Sequence, residues 1–229
     1  MPRYSPHAVR AINVGTTDLE EYFWPFIEAR LSEFLPESTV LDIGCGNGKL
    51  LAFFARKGSK VVGIDRSKVQ VEEAQKRLGD LGDTVEVLCA DVRNLEFKEK
   101  YDLVTLVNVI LDTSELALVV DLLDSAYSAL RRGGKIIIWD VHPHNVQRPN
   151  HIEDVVFAED GSYYIDGSKK RSKTLLCDGS QYTFHPNFHY QLGTIINGVT
   201  DSGFKSLRFF ELGHLTPFPT HFAIEAVRD

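Results

Sequence analysis

The stretch LDIGCGNGKL, Leu41 to Leu50, sets an aspartate, three glycines and a cysteine where an apolar strand gives way to a helix. Glycines at 44, 46 and 48 let backbone N–H groups approach a ligand closely, the chemistry of a nucleotide cradle. A dinucleotide fingerprint, G-x-G-x-x-G, would require glycine at 49, and this chain carries Lys49 there. Asp42, two places before the first glycine, suits a ligand with an ammonium group and disfavours a pyrophosphate. About twenty residues past the glycines, VVGID ends on Asp65, where a carboxylate can accept hydrogen bonds from both hydroxyls of a ribose. A further run ends CADV, with Asp91 placed to meet an adenine amino group. These residues describe a nucleoside with an ammonium-bearing arm and no phosphate requirement. The rival reading of the loop makes Cys45 a nucleophile, but no base neighbours it in sequence.

Positioning such residues requires a strand and a helix for each motif. Short runs rich in branched apolar residues (TVLDI, KVVGID, TVEVLCAD, YDLVTLVNVI, GGKIIIWDV) alternate with amphipathic stretches such as KLLAFFARKG. The runs are nearly continuous hydrophobics, as expected of strands covered by helices on both faces. That rhythm predicts a doubly wound, mostly parallel α/β sheet. The periodicity predicts a first helix over about Asp18 to Phe34, capped by Thr17 or Asp18 and closed by Pro36. Further helices are expected from the Lys/Glu/Gln-rich stretch through Leu78, over about Ser114 to Leu130, and over about Phe188 to Ser202, the last stopped by Gly203. From about His142 to Pro186 the text turns polar, and its three Asp-Gly pairs suggest antiparallel hairpins. This reading makes residues 1–229 a single domain, with residues 1–36 as an N-terminal helical lid. Residues 142–187 become a substrate-cap insertion beyond a strand's carboxyl end, where open α/β sheets bind ligands. The last two runs, FKSLRFFELGHL and THFAIEAVRD, are able to pair antiparallel.

Composition narrows the class. A chain of 229 residues, 43% hydrophobic and 25% charged, buries a sizeable core without staples. The formal net charge of −7 disfavours a nucleic-acid partner. No apolar run reaches the length of a membrane span and no secretory h-region opens the chain. Three widely spaced cysteines, Cys45, Cys89 and Cys177, argue for a reducing, cytoplasmic setting.

VLDIGCGNG, VVGIDRS, LCADV, YDLVTLVNVI and LRRGGKIIIWDVHP together resemble the successive motifs of class I S-adenosylmethionine-dependent methyltransferases, in order, over residues 38–143. The resemblance implies a Rossmann-like, seven-stranded sheet with an antiparallel C-terminal hairpin, and S-adenosyl-L-methionine as cofactor. It implies that the loop of Gly44, Cys45 and Gly46 passes under the methionine part, with Asp42 near the amino group. Asp65 would sit on the ribose with Arg66 beside it, Asp91 and Val92 at the adenine, and Asn108 at the methyl end. The run FHYQLGTIINGVTDSGF is similar to a segment of small-molecule members, "yHRtlsdyinaLieaGF", which aligns His189 with the family's histidine. His142-Pro143 resembles the His-Pro after their fifth strand. Two departures concern the acceptor: Tyr190 stands where arginine is usual, and Asp112 where a histidine often follows the fourth strand.

A methyl transfer to a hydroxyl or ammonium gains from a general base, for which histidine is suited near neutral pH. The order of preference is His189, His142, then His185. Asp140, His142 and His144 form D-x-H-x-H, but Pro143 interrupts the strand and familiar zinc spacings are absent, so no metal is expected. Cys45 reads as a small residue. SKKRSK, Ser168 to Lys173, reads as a solvated hairpin tip in preference to a contact for a phosphate or acidic substrate. Tyr163, Tyr164, Tyr182, Phe184, Phe188 and Tyr190 serve equally as an apolar acceptor pocket or as packing. The expectation is methylation of a small-molecule acceptor, the atom undecided between O, N and C. The alternatives are an RNA or protein methyltransferase, a non-catalytic cofactor-binding protein of the same fold, and an NAD-dependent oxidoreductase, which Lys49 and Asp42 disfavour.

Overall fold

The computed structural model describes residues 22–32, 34–144, 153–157, 160–175, 180–213 and 219–229; for 153–156, 172–175 and 181–186 it describes the backbone only. The first strands are β1 (Thr39–Ile43), β2 (Lys60–Asp65), β3 (Val85–Cys89), β4 (Tyr101–Val107) and β5 (Leu130–Val141). The last two are β9 (Lys205–Leu212) and β10 (His221–Val227). These form one seven-stranded sheet in the order β3-β2-β1-β4-β5-β10-β9. The pairs from β3 through β5 are parallel, and β10 pairs antiparallel with both β5 and β9. The doubly wound sheet and its antiparallel C-terminal hairpin are as the sequence pattern leads one to expect.

Alternate residues of each strand feed two separate cores, which is why the strands read as continuous hydrophobics. On one face Val40, Val61, Leu103, Ile137 and Trp139 pack against α1 (Trp24–Leu31), α2 (Lys49–Arg56) and α3 (Lys68–Leu78). On the other, Leu41, Ile64, Val104, Ile136 and Ile224 pack against α4 (Leu116–Ala129) and α5 (Leu192–Asp201). The first helix is shorter in description than its predicted span: Trp24–Leu31 is helical, and Thr17, Asp18 and Leu19 lie outside the described residues. Its Phe23 and Phe26 flank Trp139, with ring centroids 5.1 and 5.7 Å away.

A second, three-stranded antiparallel sheet is built from β6 (Glu153–Phe157), β7 (Ser168–Leu175) and β8 (Gln181–His189). It corrects two sequence readings. The final helix begins at Leu192 rather than Phe188, because β8 continues through His189. The helix start is set from a distance. Asp166, just ahead of β7, accepts Gln191 N at 2.6 Å and Thr194 Oγ1 at 2.7 Å. The basic run SKKRSK is no hairpin tip: it forms most of the central strand, and Ser168 and Lys170 are buried while Lys169 and Arg171 are exposed.

One ion pair fastens α1 across the sheet. Arg30 Nη2 meets Glu225 Oε2 on β10, and Lys135 Nζ lies 3.4 Å from Glu225 Oε1. Glu225 is buried, so removing its charge leaves Arg30 without a counter-ion in a half-buried place. Glu225→Ala is expected to lower the unfolding free energy by roughly 2–3 kcal/mol, read by urea denaturation. An unchanged midpoint would mean that α1 is held by its aromatic contacts alone.

Candidate active site

A cleft of about 500 Å³ opens at the carboxyl ends of β1, β2, β3 and β4. It is built from the bottom by the β1–α2 turn. Gly44 has φ +75, and a Cβ there would fall 2.6 Å from Val109 Cγ2, so only glycine lets the turn pass this close to the segment after β4. The turn is tied sideways to β2. Asp65 Oδ2 accepts Gly46 N at 2.9 Å and Asp65 Oδ1 accepts Ser67 N at 2.8 Å, which sets the carboxylate facing the cleft. Ser67 then caps α3 through its side chain and Gln70 N.

Of the residues singled out for the cofactor, Gly44, Asp65, Arg66, Asp91, Val92 and Asn108 line this cleft, and Asp112 joins them. Asp42, Cys45 and Gly46 are not on its lining. Asp42 lies buried below the turn, paired across the β1–β4 ladder with Thr105, whose Oγ1 donates to Asp42 Oδ1 at 2.6 Å. Burial pushes Asp42 up to about 7, the negative Asp65 adds to this, and the Thr105 hydrogen bond opposes it. Cys45 points into the core: a Cβ on Gly63 of β2 would lie 2.9 Å from its Sγ. Burial, with Asp42 and Asp65 nearby, raises that thiol far above its usual range, which removes the nucleophile reading.

Asp91 carries a partner that sequence reasoning missed. Arg93 Nε and Nη2 donate to its two oxygens at 2.9 and 2.5 Å, and this hydrogen-bonded pair holds the carboxyl below its usual range. The i, i+2 spacing was the available signal. Asn108 adopts φ +55, which asparagine tolerates better than most residues, and its N donates to Trp139 O at 2.8 Å. Its Oδ1 is buried with no hydrogen-bond partner.

The histidines sit beyond the cleft lining, in and beside the second sheet. His142 is fully buried beside Phe209 and Phe222, and its Nδ1 accepts His144 N at 3.1 Å. Its Nε2 lies 3.3 Å from Glu211 Oε1 without hydrogen-bond alignment. Burial, then the neighbouring His144 and His221, lower it to about 4. His189 is also fully buried, and its Nε2 lies 2.9 Å from the Tyr163 carbonyl oxygen. A carbonyl only accepts, so Nε2 carries the hydrogen and the neutral ring keeps its lone pair on Nδ1. That Nδ1 is buried and unpartnered. Burial, followed by Lys170, brings His189 down to about 4. Rings link the two histidines in sequence: His142 to His144 at 5.0 Å, His144 to Tyr163 at 5.4 Å, Tyr163 to His189 at 5.0 Å. The side chains of His185, Tyr182 and Phe184 lie outside the described residues, as does Cys177. In D-x-H-x-H, Asp140 turns its two oxygens to Leu111 N and Val141 N, and no cluster of three metal-binding side chains forms among the described residues.

Residues 40–134 match a family model described as a methyltransferase domain. The chain carries a methyltransferase domain of the S-adenosylmethionine-dependent kind. It is 26% identical over 205 residues to a protein of Geobacillus sp. provisionally named a methyltransferase, covering 80% of this chain and 81% of that one. It is 28% identical over 106 residues to the ubiquinone biosynthesis O-methyltransferase of Nitrobacter winogradskyi. That match covers 46% of this chain and spans only 40% of the relative's length. In fold it is similar to an S-adenosylmethionine-dependent methyltransferase from Clostridium acetobutylicum, with a TM-score of 0.69, 16% identity and 92% of each chain covered. The methyltransferase has no helix among its described residues that is long and apolar enough to cross a membrane.

Tyr190, the departure from the family's arginine, has a structural use in this methyltransferase. It is buried, and its hydroxyl donates to the carbonyl of Thr113 on the cleft wall at 2.7 Å. Tyr190→Phe leaves that carbonyl unpaired, and a loss of roughly 1–2 kcal/mol in unfolding stability is expected by denaturant titration. A neutral result would show that water replaces the phenol at the joint between the second sheet and the cleft.

Proposed function

We propose that this methyltransferase methylates a small molecule, with the cleft holding the cofactor and the second sheet covering the acceptor. The observation that carries the reading is the convergence of Asp65, Asp91 and Asn108 on one cleft at the sheet's carboxyl edge. The donors and acceptors there fit a nucleoside with a methionine arm. Asp65 accepts the two turn amides and lines the cleft, and it is the acceptor this reading assigns to the ribose hydroxyls. The unpartnered Asn108 Oδ1 is an acceptor for an amino or hydroxyl group. Arg66 and Val92 line the cleft between the ribose and adenine ends, while Gly44, Cys45 and Gly46 carry the turn beneath the methionine arm. When bound, S-adenosylmethionine supplies a methyl already activated on a sulfonium. The chain's own work is to orient the acceptor and exclude water, and positioning of this kind lowers barriers by about 7–11 kcal/mol in well-oriented systems.

His189 is our candidate base. Its bare Nδ1 takes the proton of an acceptor hydroxyl or ammonium and returns it to solvent after transfer. A base lowered to about 4 suits an acceptor whose own proton is acidic. His142 already spends its Nδ1 lone pair on His144 N and is the weaker candidate. Residues 142–187 are the cap of this reading, and β8, which runs to His189, is taken with them. A small-molecule acceptor is supported by the Nitrobacter relative, a ubiquinone biosynthesis O-methyltransferase, and by the net charge of −7, which disfavours RNA. The free thiols of Cys45 and Cys89 support a reducing, cytoplasmic setting.

S-adenosylhomocysteine is expected to bind at micromolar strength by calorimetry while NAD does not bind, and Asp65→Ala is expected to lose most of that binding. Binding of NAD instead would overturn the cofactor assignment, and an unaffected Asp65→Ala would remove the ribose role. Asp42 adds a pH signature. Its carboxyl is protonated below about 7 in the free protein, and an ammonium nearby favours the ionised form. Binding therefore releases a proton, and S-adenosylhomocysteine affinity should rise about tenfold from pH 6 to pH 8. Asp42→Asn should bind more weakly and with little pH dependence over that range; an equally steep profile in the variant would place the titrating group elsewhere.

A further inference from the structure

The inner face of the second sheet is polar and yet buried. Ser168, Lys170, Asn187 and His189 are 7%, 4%, 4% and 0% exposed, whereas Lys169 and Arg171 on the same strand are exposed. The ladder pairs Ser168 with His189 and Lys170 with Asn187, so Lys170 is the diagonal neighbour of His189 across β7 and β8. Diagonal neighbours on one face lie within reach of a long side chain. A lysine is rarely buried to this degree unless its charge answers others. Here the ammonium lies within electrostatic reach of both Asp140, at the carboxyl end of β5, and His189.

We propose that Lys170 is a positioning residue of the methyltransferase site, a buried ammonium diagonal to His189 on the inner face of the second sheet that acts together with the ring's enclosure to hold the imidazole with Nδ1 bare. The inference rests on the reading of His189 as the base and gives that base its working form. The groups acting on His189 come from every element around it. Lys170 on β7 and His144 after β5 disfavour its protonation, Asp166 favours it, and the Tyr163 carbonyl holds the proton on Nε2. Phe157 of β6 covers the ring at 5.1 Å and carries no charge. Asp140, itself buried and pushed up to about 6 mainly by burial, is drawn back toward its ionised form by the Leu111 N–H and then by Lys170. One cation thus acts on an acid at the strand edge and on a base in the cap.

The test is the imidazole itself, read by nitrogen-resolved NMR of histidine-labelled full-length protein, with the His189 signal assigned by its loss in His189→Ala. In the native protein His189 is expected to carry its hydrogen on Nε2 and to titrate near 4. Lys170→Met should move that midpoint upward by roughly half a unit or more, and Lys170→Arg should keep it low. Lys170→Gln supplies the same comparison if the methionine variant does not fold. A folded neutral variant with the native midpoint, or a native ring protonated on Nδ1, overturns the proposal. The measurement needs neither acceptor nor cofactor. It is therefore separate from whether His189→Ala loses turnover: a Lys170-dependent midpoint with full turnover in His189→Ala would retain the electrostatic link and remove the base.

Discussion

The site hangs on the carboxylate of Asp65. Two backbone amides, Gly46 N from the β1–α2 turn and Ser67 N from the β2–α3 turn, converge on its two oxygens. Each amide would otherwise be an unmet donor at a loop, and a charged acceptor satisfies both at once. The consequence is geometric. Two successive βα turns are held in fixed relation, and the carboxylate that joins them lines the cleft. Gly44 completes the arrangement because its left-handed backbone lets the first turn pass beside Val109.

From that joint the structure builds outward in two directions. Below it lie Asp42 and Cys45, buried beneath the turn and off the cleft lining. Asp42 rests on Thr105 across the β1–β4 ladder, and Cys45 fills the space that Gly63 leaves on β2. Above it, the short turn at Ile110–Asp112 and the following Thr113 carry the second sheet, through Tyr190 and through the approach of Gly167 to Ser114 O. The cleft and the second sheet thus both touch the segment after β4.

The second sheet differs physically from the two cores of the large one. The two cores of the large sheet are apolar on both faces, and their side chains alternate between them. The inner face of the small sheet is a buried set of hydrogen-bonding groups around one lysine, and such a surface is costly unless its members answer one another. Polar burial at the edge of a cleft is where a fold gives up packing energy for chemistry. The low proton affinities of His142 and His189 are products of the same enclosure.

Much of this was legible in the residues alone. Continuous apolar strands, glycines at 44, 46 and 48, and carboxylates at strand tips report local backbone needs and two-sided burial, and those are properties of short stretches of chain. They determined the doubly wound sheet and the places of Asp65, Asp91 and Asn108. Other features depended on segments that meet only after folding. The burial of Lys170 inside a basic run, the late start of α5 under Asp166, the use of Tyr190 on Thr113 and the tautomer of His189 all arise from the docking of the small sheet. Local charge counted against burying Lys170, and local periodicity favoured starting the helix at Phe188. Tertiary contacts reversed both, because a distant carboxylate can cap a helix or steady an ammonium with energy that no neighbouring residue supplies.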